Sequence, residues 1–319
     1  MIVGIIYGGS SIESDYSREA FQHIKEIFKN DKEVLIQGIE LNDYLNENIS
    51  KNIIERVDIF MSIVYGNPGQ DGSIQGILNL NRCYYLGSDI LANAIIKNKK
   101  IMKDFVSSKN INTAKYLIID NKLVQEEEIL KYFESSNLKL PVVIKPNNMG
   151  GLSLGITYVD SLDKLYEAIK YSQIYDTSVL IEEYIEGTEV TVSEVWLDER
   201  YQVLNPIVIE KQSKLSDYYA KKNNLRKLKF DSQELTYDNK KKLVKTTQKI
   251  FSSLNMKDYG YFDYIIDNNN EIYFIEAGAV PGFTKGSNIP NILSNSNRTL
   301  KDFLLQLFKK KFMEKENEK

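Results

Sequence analysis

Two acidic residues in the last third of the chain, Asp263 and Glu276, stand among apolar neighbours on either side of turn chemistry. Asp263 lies in Tyr261-Phe262-Asp263-Tyr264-Ile265-Ile266, Glu276 closes Ile272-Tyr273-Phe274-Ile275-Glu276, and Asp267-Asn268-Asn269-Asn270 separates them. That pattern predicts adjacent antiparallel strands with one carboxylate each. Acidic side chains amid buried strand residues are costly unless paired or bound to metal. Magnesium is held by one or two carboxylates together with substrate phosphates, which such a hairpin would supply. Two carboxylates at strand ends facing solvent are the plainer alternative.

A second segment, Val143-Ile144-Lys145-Pro146-Asn147-Asn148-Met149-Gly150-Gly151-Leu152-Ser153-Leu154-Gly155, delivers a lysine from a strand into a glycine-rich loop. Glycines let backbone N–H groups close on phosphate oxygens, and lysine adds a point charge. The segment lacks the Lys-Ser/Thr ending of a P-loop, and a flexible hairpin with a stray lysine is the alternative. A third, Val179-Leu180-Ile181-Glu182-Glu183-Tyr184-Ile185-Glu186-Gly187-Thr188-Glu189, runs an apolar strand into a tight acidic connector. Backbone groups of such a connector can pair with an adenine edge, and Glu189 can accept from ribose hydroxyls.

Composition removes other chemistries. The single Cys83 excludes a disulfide framework and a cysteine-based zinc site, and the single His23 excludes two-histidine metal motifs. His23 falls off the stripe Ala20, Phe21, Ile24, Ile27, Phe28 and is expected to face solvent. With 41 Lys+Arg against 44 Asp+Glu, the net charge of −3 gives no case for a nucleic-acid or membrane binder. The chain has no 18-residue apolar run, and Met1–Gly9 reads as a strand and turn with no basic lead, so a cytoplasmic protein is expected.

The elements that must position these residues divide the 319-residue chain into three expected units, 1–96, 97–187 and 188–319. The first alternates strands (Ile2–Tyr7, Glu33–Gly38, Ile59–Val64, Tyr84–Leu86) with helices near 17–29 and 74–81, which predicts an α/β fold with a parallel sheet. The second opens with a helix around Lys97–Lys103 and continues with strands Tyr116–Ile119, Pro141–Lys145, Gly155–Tyr158 and Val179–Glu183, and a helix over Leu162–Ser172. The third holds long strands, Glu189–Leu197, Val203–Glu210, Tyr261–Ile266 and Glu271–Glu276, and a helix near Lys240–Ser253. The charged end, Phe308–Lys319, is expected to be a frayed helical tail.

In this order the three chemical segments resemble the ATP-grasp superfamily, and further motifs resemble the D-alanine–D-alanine ligase family. Gly8-Gly9-Ser10-Ser11-Ile12-Glu13-Ser14-Asp15-Tyr16-Ser17 is similar to the family's Gly-Gly-x-Ser-x-Glu-x-x-x-Ser, and Tyr65-Gly66-Asn67-Pro68-Gly69-Gln70-Asp71-Gly72 to its His-Gly…Gly-Glu-Asp-Gly loop. Tyr218-Tyr219-Ala220-Lys221 resembles its mobile loop and Pro281-Gly282-Phe283-Thr284-Lys285-Gly286-Ser287 the segment after the metal ligands. The resemblance spans about residues 1–310. It implies an ATP-grasp fold behind a Rossmann-like (pre-ATP-grasp) N-terminal domain, ATP and Mg²⁺ or Mn²⁺ as cofactors, small amino-acid substrates, and a homodimer through the first domain. Carried over by position, it assigns Lys99, Lys145 and the Gly150-Gly151 loop to phosphates, Glu182 to the adenine amino group, and Glu183, Tyr184 and Ile185 to the ring. Glu189 falls to the ribose, Lys221 to the γ-phosphate, and Asp263 and Glu276 to the metal. Glu13 takes the first substrate's ammonium, and Ser287 with neighbouring Asn288 the second substrate's carboxylate. The implied chemistry phosphorylates a carboxylate, and the acyl phosphate then takes an amine.

Several positions depart from the family pattern. Its loop histidine is Tyr65 and the following glutamate Gln70; its post-lysine tyrosine is Lys222; its asparagine metal ligand is Gly278; its oxyanion-binding arginine is Tyr261. Ser153 stands near, but not in register with, the family's serine pair. Loss of one oxyanion donor costs about 2.7–4 kcal/mol, part of which the Tyr261 hydroxyl can restore. Lys222 can pair with Glu13 and compete with an ammonium. Nucleotide-side residues are kept and acceptor-side residues changed. Three functions are compatible with that: an ATP-dependent carboxylate–amine ligase with altered substrates, a D-alanine–D-alanine ligase of peptidoglycan precursor synthesis, and a nucleotide-binding regulatory protein without activity.

Overall fold

The computed structural model describes residues 1–41, 51–120, 125–149, 153–211, 214, 226–230 and 232–318. The N-terminal stretch runs β1 (Ile2–Gly8), α1 (Ser14–Ile27), β2 (Leu35–Leu41), α2 (Lys51–Arg56), β3 (Ile59–Ser62), α3 (Ser73–Leu80) and β4 (Tyr85–Leu86). Its strands pair in parallel in the order β2-β1-β3-β4. Side chains alternate across the sheet: Val3 and Ile5 pack with Phe21 and Ile24 of α1 and Phe28 at its C-cap, while Ile6, Ile39 and Phe60 pack with Ile74 and Leu78 of α3.

The helix expected around Lys97–Lys103 is two helices, α4 (Ile90–Lys97) and α5 (Lys99–Ser108). Asn98 breaks them with an extended backbone, and its side chain accepts from the Ile101 amide at 2.9 Å to cap α5. There follow β5 (Tyr116–Ile119), α6 (Glu126–Ser135), β6 (Val142–Pro146), β7 (Thr157–Val159), α7 (Leu165–Gln173) and β8 (Val179–Glu183), whose strands form an antiparallel sheet, β5-β8-β6-β7. Leu117, Ile129, Phe133, Ile144, Ile169 and Ile181 give it a core of its own.

The third sheet takes β9 (Gly187–Leu197), β10 (Arg200–Val203), β11 (Ile207–Lys211), β12 (Arg226–Lys229), then, after α8 (Tyr237–Ser253), β13 (Tyr259–Asp267) and β14 (Ile272–Gly278). Its order is β12-β11-β9-β13-β14, with β10 also on β9. The single strand expected over Val203–Glu210 is thus two, because Leu204-Asn205-Pro206 interrupts it and proline has no amide for the ladder.

The chain closes with α9 (Asn288–Asn295) and α10 (Leu300–Asn317). The frayed tail is a docked helix: Leu300, Phe303, Leu304, Leu307 and Phe308 are buried in one cluster with N-terminal Val3, Ile24 and Ile59 and with Val195 and Tyr259 of the third sheet. Lys301–Asp31, Lys309–Glu33 and Lys310–Asp258, each at 2.8 Å, and Lys315–Asp58 at 2.7 Å flank that stripe. His23, expected in solvent, is half-buried, its Nδ1 2.8 Å from the Phe283 carbonyl. Among the described residues, no helix is long and apolar enough to cross a membrane.

Candidate active site

A cleft of about 630 Å³ opens between the second and third sheets and reaches the N-terminal loops. One wall is built by β6 and β8, which run side by side with Val143 opposite Glu182. Lys145 and Glu182 are both buried there. Glu182 is gripped on both oxygens, Oε1 by the Lys145 ammonium and Oε2 by Lys103 at 2.8 Å. Burial works against the charge of Glu182, but the two ammonium groups overcome it and hold the carboxyl down to about 2. Lys103 Nζ also donates to Thr113 Oγ1, and that hydroxyl to the Phe274 carbonyl of β14, each at 2.8 Å. One buried lysine thus ties the two walls together. Sequence reasoning missed it; its signal was a position four residues after Lys99, one helical turn along α5 on the same face.

Lys99 opens α5, and its ammonium donates to the Met149 carbonyl, just before the glycine-rich loop. Burial lowers the Lys99 pKa to about 8, against the attraction of Glu276. Lys97 is lowered by burial as well, with Glu13, Asp71 and Glu276 pulling the other way. Lys99 lies within electrostatic reach of Lys145 and Glu276, which line the cleft, so its charge adds to that of Lys145 as a polyanion site would require.

The opposite wall comes from β9, β13 and β14. Asp263 and Glu276 are register partners across the antiparallel pair, with a bulge just beyond Asp263, and both line the cleft. Thr191 of β9 donates its hydroxyl to Asp263 Oδ1 at 2.7 Å. Like charges directly opposite one another are unfavourable on a sheet, and a hard divalent cation between two carboxylates removes that cost. The donor set fits magnesium. Among the described residues, no cluster of three or more His, Cys, Asp and Glu offers an alternative metal site.

Between the walls Val143 and Ile156 on one side, and Ile265 and Ile275 on the other, leave an apolar slot suited to a flat ring. The connector Tyr184–Glu186 between β8 and β9 closes its end. The Tyr184 amide is engaged by the Pro141 carbonyl at 3.2 Å, and the Tyr184 ring packs edge-on against Tyr158 at 5.0 Å. Glu183, Ile185 and Glu189 line the same end.

The N-terminal loops supply the remaining side chains. Glu13 is buried at the start of α1, and Gly66, at φ +75°, brings the 65–72 loop so close that a Cβ there would lie 3.1 Å from Glu13 Oε2. Gln70 Oε1 accepts from the Gly66 amide at 3.1 Å and pins this loop. Tyr65 donates to the Pro281 carbonyl at 3.3 Å and accepts from the Phe283 amide at 3.1 Å. Burial pushes its phenol up, Glu13 and Glu19 add to this against the Phe283 amide, and it stays a neutral donor. Burial also raises Tyr261 well above the usual range, with Glu276, Asp263, Glu13 and Tyr65 adding to it. Ser287 precedes α9, its hydroxyl paired with that of Thr284 at 2.8 Å and not with the helix amides, and Asn288 stands next to it on the cleft. Ser153 also lines the cleft, in a left-handed conformation at φ +57°. Gly150, Gly151, Lys221 and Lys222 lie outside the described residues.

Two facing sheets that enclose a cleft with Lys145 on one wall and Asp263 and Glu276 on the other, behind a parallel-sheet N-terminal unit, define an ATP-grasp enzyme. The family model described as D-ala D-ala ligase C-terminus matches residues 105–309, and the chain belongs to the D-alanine–D-alanine ligase family, ATP-dependent enzymes that form a C–N bond. A D-alanine–D-alanine ligase of Buchnera aphidicola subsp. Schizaphis graminum is 28% identical over 314 residues, covering 96% of this chain and 98% of that protein. The crystal structure of D-alanyl-alanine synthetase A from Vibrio cholerae superimposes with a TM-score of 0.84 over 98% of each chain, a likeness of fold at 20% identity. The VanG D-Ala:D-Ser ligase from Enterococcus faecalis gives a TM-score of 0.79 at 25% identity, covering 96% of this chain and 98% of that one.

Proposed function

We propose that the protein joins two small amino acids, D-alanine first, by ATP-dependent formation of an acyl phosphate. The observation that carries this reading is the opposition, across one cleft, of the Asp263–Glu276 carboxylate pair and the Lys145–Glu182–Lys103 cluster. Such a pair of walls suits a magnesium triphosphate with its base in the apolar slot. Residues 1–96 would then bind the first substrate, 97–187 cover the nucleotide, and 188–319 hold the metal and the second substrate.

In this scheme Glu182 accepts from the adenine amino group, the connector at Tyr184 and Ile185 borders the ring, and Glu189 accepts from the ribose. Lys99, Lys145 and Lys221 carry charge to the phosphates. Asp263 and Glu276 hold Mg²⁺, which when bound neutralises phosphate charge. The chain needs no nucleophile, because the first substrate's carboxylate attacks the γ-phosphorus and ADP leaves. Glu13 holds that substrate's ammonium. The second amine then attacks the acyl carbon and phosphate departs; Ser287 and Asn288 hold the acceptor carboxylate. The Tyr261 O–H faces the developing oxyanion, and the closed cleft keeps out water that would hydrolyse the intermediate.

A second reading, an acceptor other than D-alanine, is favoured by Tyr65 and Tyr261, which are hydrogen-bonded or packed into place and alter the acceptor side without dismantling it. ATP as phosphoryl donor suits a cytoplasmic location. A homodimer through the N-terminal unit suits the apolar Leu80, Ile90 and Leu91 exposed there.

Phosphate release from Mg-ATP across a panel of D- and L-amino acids and hydroxy acids tests the proposal. D-alanine-dependent release with D-alanyl-D-alanine as product is expected. Release only when a different acceptor accompanies D-alanine selects the second reading. Nucleotide binding without release across the whole panel refutes ligation.

A further inference from the structure

Gly278 ends β14 while still paired with β13, and a glycine on a paired strand marks a place where another group needs the space of its side chain. It is not among the glycines with positive φ, so no turn or left-handed backbone requires it. The reason lies across the strand pair. Tyr261 of β13 is its register partner, and a Cβ built on Gly278 would lie 2.0 Å from Tyr261 Cε1, 2.2 Å from Cζ and 2.5 Å from the phenol oxygen. The tyrosine ring occupies the volume that any side chain at 278 would take.

The next pair along the same face is Asp263 with Glu276. Alternation puts Tyr261 with Asp263, and Gly278 with Glu276, on one side of the sheet, and Tyr261, Asp263 and Glu276 all line the cleft. Position 278 is therefore where β14 would place a second ligand beside Glu276, and the phenol fills it. Hard divalent cations take carboxylate, amide carbonyl and water oxygens from their sites, and the ring occupies the volume in which a side chain at 278 would offer one.

We infer that Tyr261 and Gly278 form one interlocked unit that limits the carboxylate clamp to a single divalent cation per bound nucleotide and sets a tyrosine hydroxyl beside it. This rests on the nucleotide–cation reading of the cleft. Neither residue can be exchanged alone: a side chain at 278 strikes the ring, and removal of the ring opens a gap over the glycine.

Two measurements on the full chain test this. Melting temperatures without nucleotide report the interlock. Gly278→Ala is expected to cost at least about 5 °C in the parent and less than half as much in a Tyr261→Ala background. Equal losses in both backgrounds overturn it. Electron paramagnetic resonance titration of Mn²⁺ with a saturating non-hydrolysable ATP analogue counts the cations. One bound Mn²⁺ per chain is expected in the parent and two in the Tyr261→Ala/Gly278→Asn double variant. Two in the parent, or one in both, overturns the inference. Failure of the parent to bind any Mn²⁺-nucleotide overturns the underlying reading of the cleft instead, while the melting cycle still judges the interlock.

Discussion

Glu194 and Glu182 are both shielded from water, at 5% and 3% exposure, yet their carboxyls are driven in opposite directions. Glu182 has two lysines to repay its burial and sits at about 2. Glu194 lies on the face of β9 that carries Val190 and Val192, away from the cleft, and burial pushes it up to about 7. The consequences for stability follow by linkage. The native state keeps the Glu194 proton up to about pH 7, whereas the unfolded chain loses it near 4.5, so stability falls as pH rises between these values and the penalty is complete above 7. For Glu182 the sign reverses: its contribution is present above about 4.5 and lost as pH falls toward 2. Glu194→Gln is therefore expected to stabilise the protein at pH 8, by up to about 3 kcal/mol, and to change little at pH 4. Equal gains at both pH values in chemical denaturation would refute this. At this scale the sequence showed the chemical types well: Asp263, Glu276, Lys145, Glu182 and Glu13 all reach one cleft. It did not show Lys103 as the partner of Glu182, because that contact joins segments far apart in the chain, nor Tyr261 over Gly278, because a bulge just beyond Asp263 shifts the register of the hairpin.

Helix α10 shows where element-scale reading stopped short. Its last turns are dense in charge, and charge alone suggests fraying. The apolar spacing Leu300, Phe303, Leu304, Leu307, Phe308 is nevertheless a full helical stripe, and lysines on its flanks reach Asp31, Glu33, Asp58 and Asp258. A window opened at Phe308 cuts that stripe and leaves only its polar end. The other differences, the break at Asn98 and the interruption before Ile207, have local signals in a capping asparagine and a proline. Register, by contrast, depends on partners that no local pattern names. Since Phe308 is fully buried and packs on Phe28 at 5.6 Å, Phe308→Ala is expected to cost about 3–5 kcal/mol in urea unfolding. Met313→Ala, on the same helix at 64% exposure, is expected to stay within about 0.5 kcal/mol. Comparable losses from the two would mean that α10 is not docked.

At the scale of the whole molecule, the cores do not follow the order of the chain. Val3, Ile5, Phe21, Ile59 and Tyr65 from the first hundred residues share one cluster with Val195 of β9 and with Tyr259, Phe283, Leu304 and Phe308 from the last third. Polar ties reinforce that joint: His23 to the Phe283 carbonyl, Tyr65 to Pro281 and Phe283, and Asp258 to the Gly87 amide at 2.9 Å. The antiparallel sheet β5-β8-β6-β7 instead closes over its own smaller core, and buried polar links such as Lys103–Thr113–Phe274 connect it to the third sheet. Elements that share a core open together, and one with a separate core opens at its own, lower free energy. Amide hydrogen exchange of the full-length protein should therefore give β1, β3, β9 and β13 a common high protection, with β6 and β8 exchanging faster. Mg-ATP, bound between the second and third sheets, should slow β6 and β8 most, because closing the cleft couples the independent core to the shared one. Uniform protection across all three sheets without nucleotide would refute the division. If β6 and β8 were fastest but unmoved by Mg-ATP, the cleft between the sheets would not be where nucleotide binds.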